Sequence, residues 1–314
     1  MVGTGRDGDG DGAIDTDRAA PAPTPASAPN TALHTADSLP YETAFVLGGG
    51  GHLGAYEVGM LKALLESGVK PDVLLGTSVG AINGAALAAD PSQDAVARLE
   101  QLWTSLSAGG VFEDSLFTRL GTMMRSRTHM HSNTTLRRML GEGIQVDLIE
   151  DLPVPFQCVA ASIERAAEHW FSSGPIVDAV LASCAVPGLL PPVEIDGEHF
   201  LDGGLVDSVP VGRAVSLGAR TVYVLHAGRL EQPLQAPKQP WEVAAVAFEI
   251  SRRHRFARDM AQLPDGVTVH LLPTGADRPA SANWAQYVRY RDFAIAHERI
   301  QQAYRASLAY LGTL

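Results

Sequence analysis

The stretch FVLGGGGHLGAYEVGM, residues 45–60, runs from a β-like apolar triplet through four glycines straight into a helix-like pattern. A helix start exposes N–H groups that lack intrahelical acceptors and carries partial positive charge, and glycines let another molecule approach that backbone closely. The pattern prepares a place for something negative: a phosphate, or a charge that exists only during a reaction. Gly49, Gly51 and Gly54 also satisfy GxGxxG after a strand, the dinucleotide fingerprint. That reading asks for an acidic residue at the carboxyl end of the second strand, where it would hold ribose hydroxyls. Here Asp72 follows Pro71 at the beginning of the next strand, at the wrong end of the sheet.

Outward from the glycines, Leu53, Tyr56, Met60, Leu61, Leu64 and Leu65 recur at helical spacing until Gly68 and Pro71 stop the helix. Short apolar runs at 44–47, 72–75, 156–161, 221–225 and 267–272 are rich in Val, Leu and Phe, as buried parallel strands are. Strand, helix, strand at this spacing is a right-handed crossover, and its repetition predicts an α/β sheet with helices on both faces. Residues 241–263 and 292–311 read as further helices, the second long and amphipathic. The run SRRHRFAR within 241–263 suits either a basic patch toward lipid headgroups or a solvated helix face, and reads as the second.

At the carboxyl end of the second strand stands GTSVG, residues 76–80. Between a strand and a helix, GxSxG is the nucleophile elbow: Ser78 sits on a sharp, strained turn, and Gly76 and Gly80 remove the Cβ atoms that would clash there. The same five residues also suit a close-packed turn with no chemistry. The two glycine motifs explain each other, because both emerge at the edge of the sheet where ligands bind. A Ser78 attack on an acyl carbonyl creates an oxyanion, and the N–H groups of Gly49, Gly50 and Gly51 are the candidate donors for it.

A nucleophilic serine needs a base. The sequence leaves three sources open: a histidine among His199, His226 and His270, another group, or Asp202 of HFLDGGLVDSVPV. That run sets Asp202 after a short apolar strand, with Gly203 and Gly204 turning it toward a crevice. An ordinary Asp, with a pKa near 3.9, is a weak base unless desolvation and geometry favour proton transfer.

Composition sets the outer limits. With 314 residues and 46% hydrophobic content the chain has ample material for a packed core. A net charge of -11 excludes a nonspecific nucleic-acid binder, which needs a basic surface. Two cysteines, Cys158 and Cys184, without CxxC spacing and without an apolar leader, fit a reducing compartment and no structural zinc. The expectation is a soluble, cytoplasmic protein, with peripheral membrane contact left open. Residues 1–40, rich in Asp, Gly, Ala and Pro, read as a disordered tail ahead of a domain spanning 41–314. Within the tail, Asp7, Asp9, Asp11, Gly12 and Asp15 match the opening of a calcium loop. Arg18 at its twelfth position and the lack of flanking helices favour a solvated acidic segment. Residues 110–140 mix Met, Phe, His and five arginines, Arg119, Arg125, Arg127, Arg137 and Arg138, and read as a packed connection or a cap facing lipid headgroups.

Four blocks in order, GGGGHLGAYEVGML, GTSVGAING, SCAVPGLLPPV and DGGLVDSVPV, make residues 41–314 resemble the patatin-like phospholipase family, particularly its bacterial members. The resemblance implies a three-layer α/β/α sandwich with a mainly parallel central sheet. It also implies hydrolysis of lipid acyl esters by a Ser78/Asp202 dyad, with an oxyanion hole at Gly49, Gly50 and Gly51 and no cofactor or metal. One departure stands out: where the family usually places Arg or Lys before the last glycine of GGGxRG, this chain has Leu53, next to His52. The rival readings are a noncatalytic lipid-binding or regulatory protein, for which the lost positive charge speaks, and a Ser-His-Asp esterase using His226 or His270. Asn83 reads as a pin for the elbow helix, and Leu189 and Leu190 as acyl-channel or core residues.

Overall fold

The computed structural model describes residues 41–107, 131–227, 233, 234, 236, 237, 239–276 and 295–314. The tail, the calcium-loop-like run and residues 108–130, with Arg119, Arg125 and Arg127, lie outside the described residues. The strands are β1 (Thr43–Leu47), β2 (Val73–Thr77), β3 (Phe156–Ser162), β4 (Ala167–Phe171), β5 (Val193–Ile195), β6 (Glu198–Asp202), β7 (Thr221–Leu225) and β8 (Thr268–Leu271). The helices are α1 (Gly54–Glu66), α2 (Val79–Ala89), α3 (Gln93–Ser107), α4 (Thr134–Gly143), α5 (Ile176–Ser183), α6 (Val211–Ser216), α7 (Pro240–Ala261) and α8 (Ala296–Leu311).

One sheet runs β5-β6-β3-β2-β1-β7-β8, with β4 also paired to β3. The central pairs are parallel, and β4, β5 and β6 join by antiparallel pairing. Alternation along the strands feeds two layers of helices, as period-two side chains must. Phe45, Leu47, Leu74, Tyr223 and Leu225 enter the larger core with α1, α2, α3, α5 and α8. Ala44, Val46, Val73, Leu75, Val222 and Val224 enter the smaller one, under Val211 and Ala214 of α6 and Phe256 and Met260 of α7. Each fully buried Leu or Val contributes about 1.5–3 kcal/mol. Helix α1 meets α8 backbone to backbone at Gly59, where any Cβ would overlap the Ile300 carbonyl.

The register of β3 brings two distant strand ends together. Val159 pairs with Thr77 of β2 on one edge and with Trp170 of β4 on the other; the next residue, Ala160, pairs with Asp202 of β6 and His169 of β4. Strands β2 and β6 therefore share one edge of β3 and point at each other, so that their carboxyl ends meet at consecutive β3 residues. Gly203 is required at this junction, because a side chain there would run into the Val159 carbonyl.

Candidate active site

Where β2 stops, Ser78 takes φ 54° and ψ -123° and caps α2. A positive φ at a non-glycine residue costs about 1–3 kcal/mol and persists only when its surroundings enforce it. Several do so. The Thr77 hydroxyl donates to the Asp207 carbonyl at 2.9 Å, and the Ser78 N–H donates to Ser183 Oγ at 2.9 Å. Side chains at Gly76, Gly80 or Gly54 would collide with Ala81, with the Leu47 carbonyl, or with Val79 and the Trp103 ring. Helix α2 is tied to the start of α1 by Asn83, whose amide donates to the Gly54 carbonyl at 3.1 Å and to Glu57 Oε2 at 2.8 Å while accepting Trp103 Nε1 at 3.0 Å. Asn83 is thus the pin expected from the sequence. Burial drives the Glu57 carboxyl well above its ordinary pKa, partly offset by the Asn83 hydrogen bond.

The Ser78 hydroxyl donates to Asp202 Oδ2 at 2.6 Å. The other carboxylate oxygen accepts the Gly204 N–H at 2.7 Å, and the Asp202 N–H donates to the Ala185 carbonyl at 2.9 Å. Asp202 is buried, and desolvation pushes its pKa up to about 6 against the lowering effects of Ser78, Gly204 and the Arg252 cation. A carboxylate in this range is a better proton acceptor than an exposed Asp and is still ionised at neutral pH.

The glycine turn differs from expectation at one position. The Gly49 N–H already donates to the Ser208 carbonyl at 2.9 Å, so it is not a vacant donor. The N–H groups of Gly50 and Gly51 have no acceptor among the described residues, and Gly51 adopts φ 56° on the exposed side of the turn. Ser78 is close: its Cβ lies 3.4 Å from the Cβ position of Gly49. The sequence also missed Ser183. It belongs to the SCAVPGLLPPV block, yet its role is visible only once α5 packs beside the elbow. Leu189 and Leu190 of the same block are buried.

None of the candidate histidines bonds to Ser78 or Asp202. His199 is exposed and hydrogen-bonded to Glu164 at 2.7 Å. His270 stacks on Tyr223 and bonds the Tyr310 hydroxyl at 3.1 Å. His226 is buried against Gly48 with Nδ1 unpartnered, and desolvation together with Arg252 and Arg253 pushes its pKa down to about 3. His52 is buried in the first turn after the glycines, and its carbonyl accepts Arg299 at 3.4 Å.

The expected solvated face of SRRHRFAR is corrected too. Arg252 is buried, and Arg255 pairs with Glu168 at 3.1 Å, Asp259 at 3.3 Å and Asp207 at 3.6 Å, because α7 lies against the sheet through this side. Asp207 is itself buried, and desolvation pushes its pKa up to about 7 against the lowering effects of Arg255 and the Val209 N–H. Of the arginines in 110–140, Arg137 pairs with Asp178 at 2.6 Å and Arg138 with Glu142 at 3.1 Å. Cys158 and Cys184 are free, buried thiols with raised pKa values.

A strained serine bonded to a buried carboxylate beside a glycine turn is matched by sequence. Residues 45–215 fit the family model described as patatin-like phospholipase. The chain belongs to the patatin-like phospholipase family. A patatin-like phospholipase domain-containing protein of Caenorhabditis elegans, ZK370.4, is 32% identical over 189 residues, covering 60% of this chain and 14% of that protein. Lysophospholipase nte1 of Aspergillus terreus is 31% identical over 186 residues, 59% of this chain and 12% of that one. Human patatin-like phospholipase domain-containing protein 6 is 33% identical over 191 residues, 60% and 14% of the two chains. The match thus spans only about a seventh of the length of these patatin-like relatives. Among the described residues of this patatin-like chain, no helix is long and apolar enough to cross a membrane, and no three His, Cys, Asp or Glu side chains are grouped to hold a metal ion.

Proposed function

We propose that the protein is a serine acyl hydrolase acting on acyl esters of lipids, with residues 41–314 as its hydrolase domain. The observation that carries this reading is the 2.6 Å hydrogen bond from Ser78 Oγ to the desolvated Asp202 carboxylate, beside the N–H groups of Gly50 and Gly51, which have no acceptor among the described residues. Asp202 takes the hydroxyl proton as Ser78 Oγ attacks the ester carbonyl, and the carbonyl oxygen gathers negative charge. The N–H groups of Gly50 and Gly51 receive that charge; one such donor contributes about 3–4 kcal/mol to lowering a barrier. The Ser78 N–H plays no part in this, being held by Ser183. As the tetrahedral species collapses, the Asp202 carboxylic acid returns its proton to the leaving alkoxide, which departs as alcohol. Water then attacks the acyl-Ser78 ester, Asp202 again accepting the proton, and the fatty acid leaves as Ser78 recovers its hydrogen.

The similarity to patatin-like phospholipases and to a lysophospholipase supports a lipid or phospholipid substrate, and peripheral contact with a membrane would give access to it. The test is to offer purified protein a mixed lipid extract and to read released fatty acids and lysolipids by mass spectrometry, alongside fluorophosphonate labelling. Release that disappears in Ser78→Ala, with labelling confined to Ser78, is expected. Lipid binding without release or labelling would leave a noncatalytic binding protein.

A further inference from the structure

The glycine turn is gripped from behind by a side chain outside every motif. Arg252 of α7 is 5% exposed. Its Nη2 donates to the Gly49 carbonyl at 2.6 Å, its Nε to Ser208 Oγ at 2.6 Å and its Nη1 to Glu249 Oε1 at 2.5 Å. The Gly49 N–H donates in turn to the Ser208 carbonyl. Both main-chain groups of Gly49 are therefore fixed by one linked pair, Arg252 and Ser208.

The consequence follows from peptide geometry. The bond joining Gly49 to Gly50 is trans, and in a planar trans peptide the C=O and N–H point in opposite directions. Holding the Gly49 carbonyl toward the guanidinium holds the Gly50 N–H away from it. That N–H lacks an acceptor among the described residues, in a turn that abuts Ser78. A charged donor on the carbonyl also polarises the peptide and strengthens its N–H as a donor. Leu53 is buried and brings no charge to the turn.

We propose that Arg252 is a positioning residue for acyl transfer: it orients and polarises the Gly49–Gly50 peptide as an oxyanion donor and supplies, from beneath the turn, the positive charge absent at Leu53. This rests on the hydrolase reading above. Its distinctive consequence is that losing Arg252 weakens binding of the tetrahedral oxyanion far more than binding of the ester.

Truncating Arg252 alone would take from the buried Glu249 its 2.5 Å ion-pair partner, the contact to Arg253 being longer, at 3.4 Å. The main test therefore joins Arg252→Met to Glu249→Gln in the full chain, with Arg252→Lys as a companion that keeps the charge and loses the fork. Thermal unfolding checks that each is folded. Measured on a p-nitrophenyl butyrate substrate, kcat is expected to fall about 100-fold in the double variant, and about 10-fold with Lys. KM should stay within about 3-fold of the parent in both. Affinity for a trifluoromethyl ketone, which adds Ser78 to form a tetrahedral oxyanion, should fall by the same factor as kcat.

A second readout is the acid limb of kcat/KM. Among the described residues, the charged group acting on Asp202 is Arg252 from α7, while the neighbouring Cys184 thiol after α5 stays neutral, its own pKa raised by burial and by Asp202. Removing the cation moves that limb to higher pH. A folded variant with kcat and ketone affinity both within about 3-fold of the parent overturns the proposal, as does a loss of kcat that spares ketone affinity. If the double variant does not fold, the Lys variant decides by the same coupling. An active parent with an indifferent Arg252 variant brings down this inference alone; a parent without turnover or Ser78 labelling brings down the hydrolase reading and this inference with it.

Discussion

The chain before and after residue 215 contributes to the site in different ways. The first part, matched by the family model from residue 45, holds the hydroxyl of Ser78, the carboxylate of Asp202 and the main-chain donors of the glycine turn. Each sits in a short turn at a strand end, braced by residues of the same part such as Ser183 and Asp207. The second part holds none of these groups, yet α7 and α8 send arginines back to the turn. Arg252 reaches Gly49 across 203 positions of sequence, and Arg299 reaches His52 across 247. The contrast teaches that reacting groups can be specified locally while the charges that aim and tune them arrive by tertiary packing.

Removing the proposed nucleophile tests the first part most severely. Ser78→Ala is expected to lower ester turnover by at least about 10⁴-fold, read as kcat with fluorophosphonate labelling lost. A residual rate near the parent's would mean that the strained hydroxyl is not the nucleophile. Asp202→Asn should cost at least about 10³-fold in kcat, with an opposite effect on stability. The folded pKa of Asp202, about 6, lies above the ordinary 3.8, so the native state carries an ionisation cost that is absent below pH 3.8 and complete above pH 6. Neutral Asn removes that cost, and a rise in Tm of about 3 °C at pH 8, shrinking toward pH 4, is expected by calorimetry. The same value sets the activity profile: kcat/KM should decline as pH falls through about 6, where the base becomes protonated.

Smaller effects sharpen the contrast from the other side. Asp207 is buried with a pKa of about 7, and Arg255 keeps Glu168 and Asp259 without it. Asp207→Asn should therefore raise Tm at pH 8 and leave it nearly unchanged near pH 4, a difference that reports burial of charge and not chemistry. The smallest effect is assigned to His270→Phe, which retains an aromatic ring against Tyr223. A change in kcat of less than about 3-fold is expected; a collapse of turnover would revive a histidine base.

Much of this was readable before any coordinates. The parallel strands β1, β2, β3 and β7 appear as short apolar runs because both their faces are covered, and glycines that admit no side chain mark the turn after β2 in GTSVG and the turn after β6 in LDGG. The strands β4 and β5 escaped because they are short or half exposed, and their residues, such as Glu168 and Glu194, do not form an apolar run. The N–H of Gly49 is not told apart from those of Gly50 and Gly51 by sequence, because four consecutive glycines look alike and only the Ser208 carbonyl distinguishes the one that is already bonded. SRRHRFAR reads as solvated because arginine usually is, and only packing shows that Arg252, Arg253 and Arg255 are drawn inward.

By itself, the order of residues determined which groups exist at strand ends and which turns they occupy, since backbone sterics act over a few neighbours: Ser78 on its elbow, Asp202 before two glycines, bare N–H groups after β1. Only the tertiary structure decided that these ends coincide. Strands β2 and β6 meet head-on because both hydrogen-bond to the same edge of β3, at Val159 and Ala160. Burial then raises the basicity of Asp202, and a guanidinium from α7 turns one peptide of the glycine loop. Pairing register and desolvation are properties of the assembled sheet, and no local spacing encodes them.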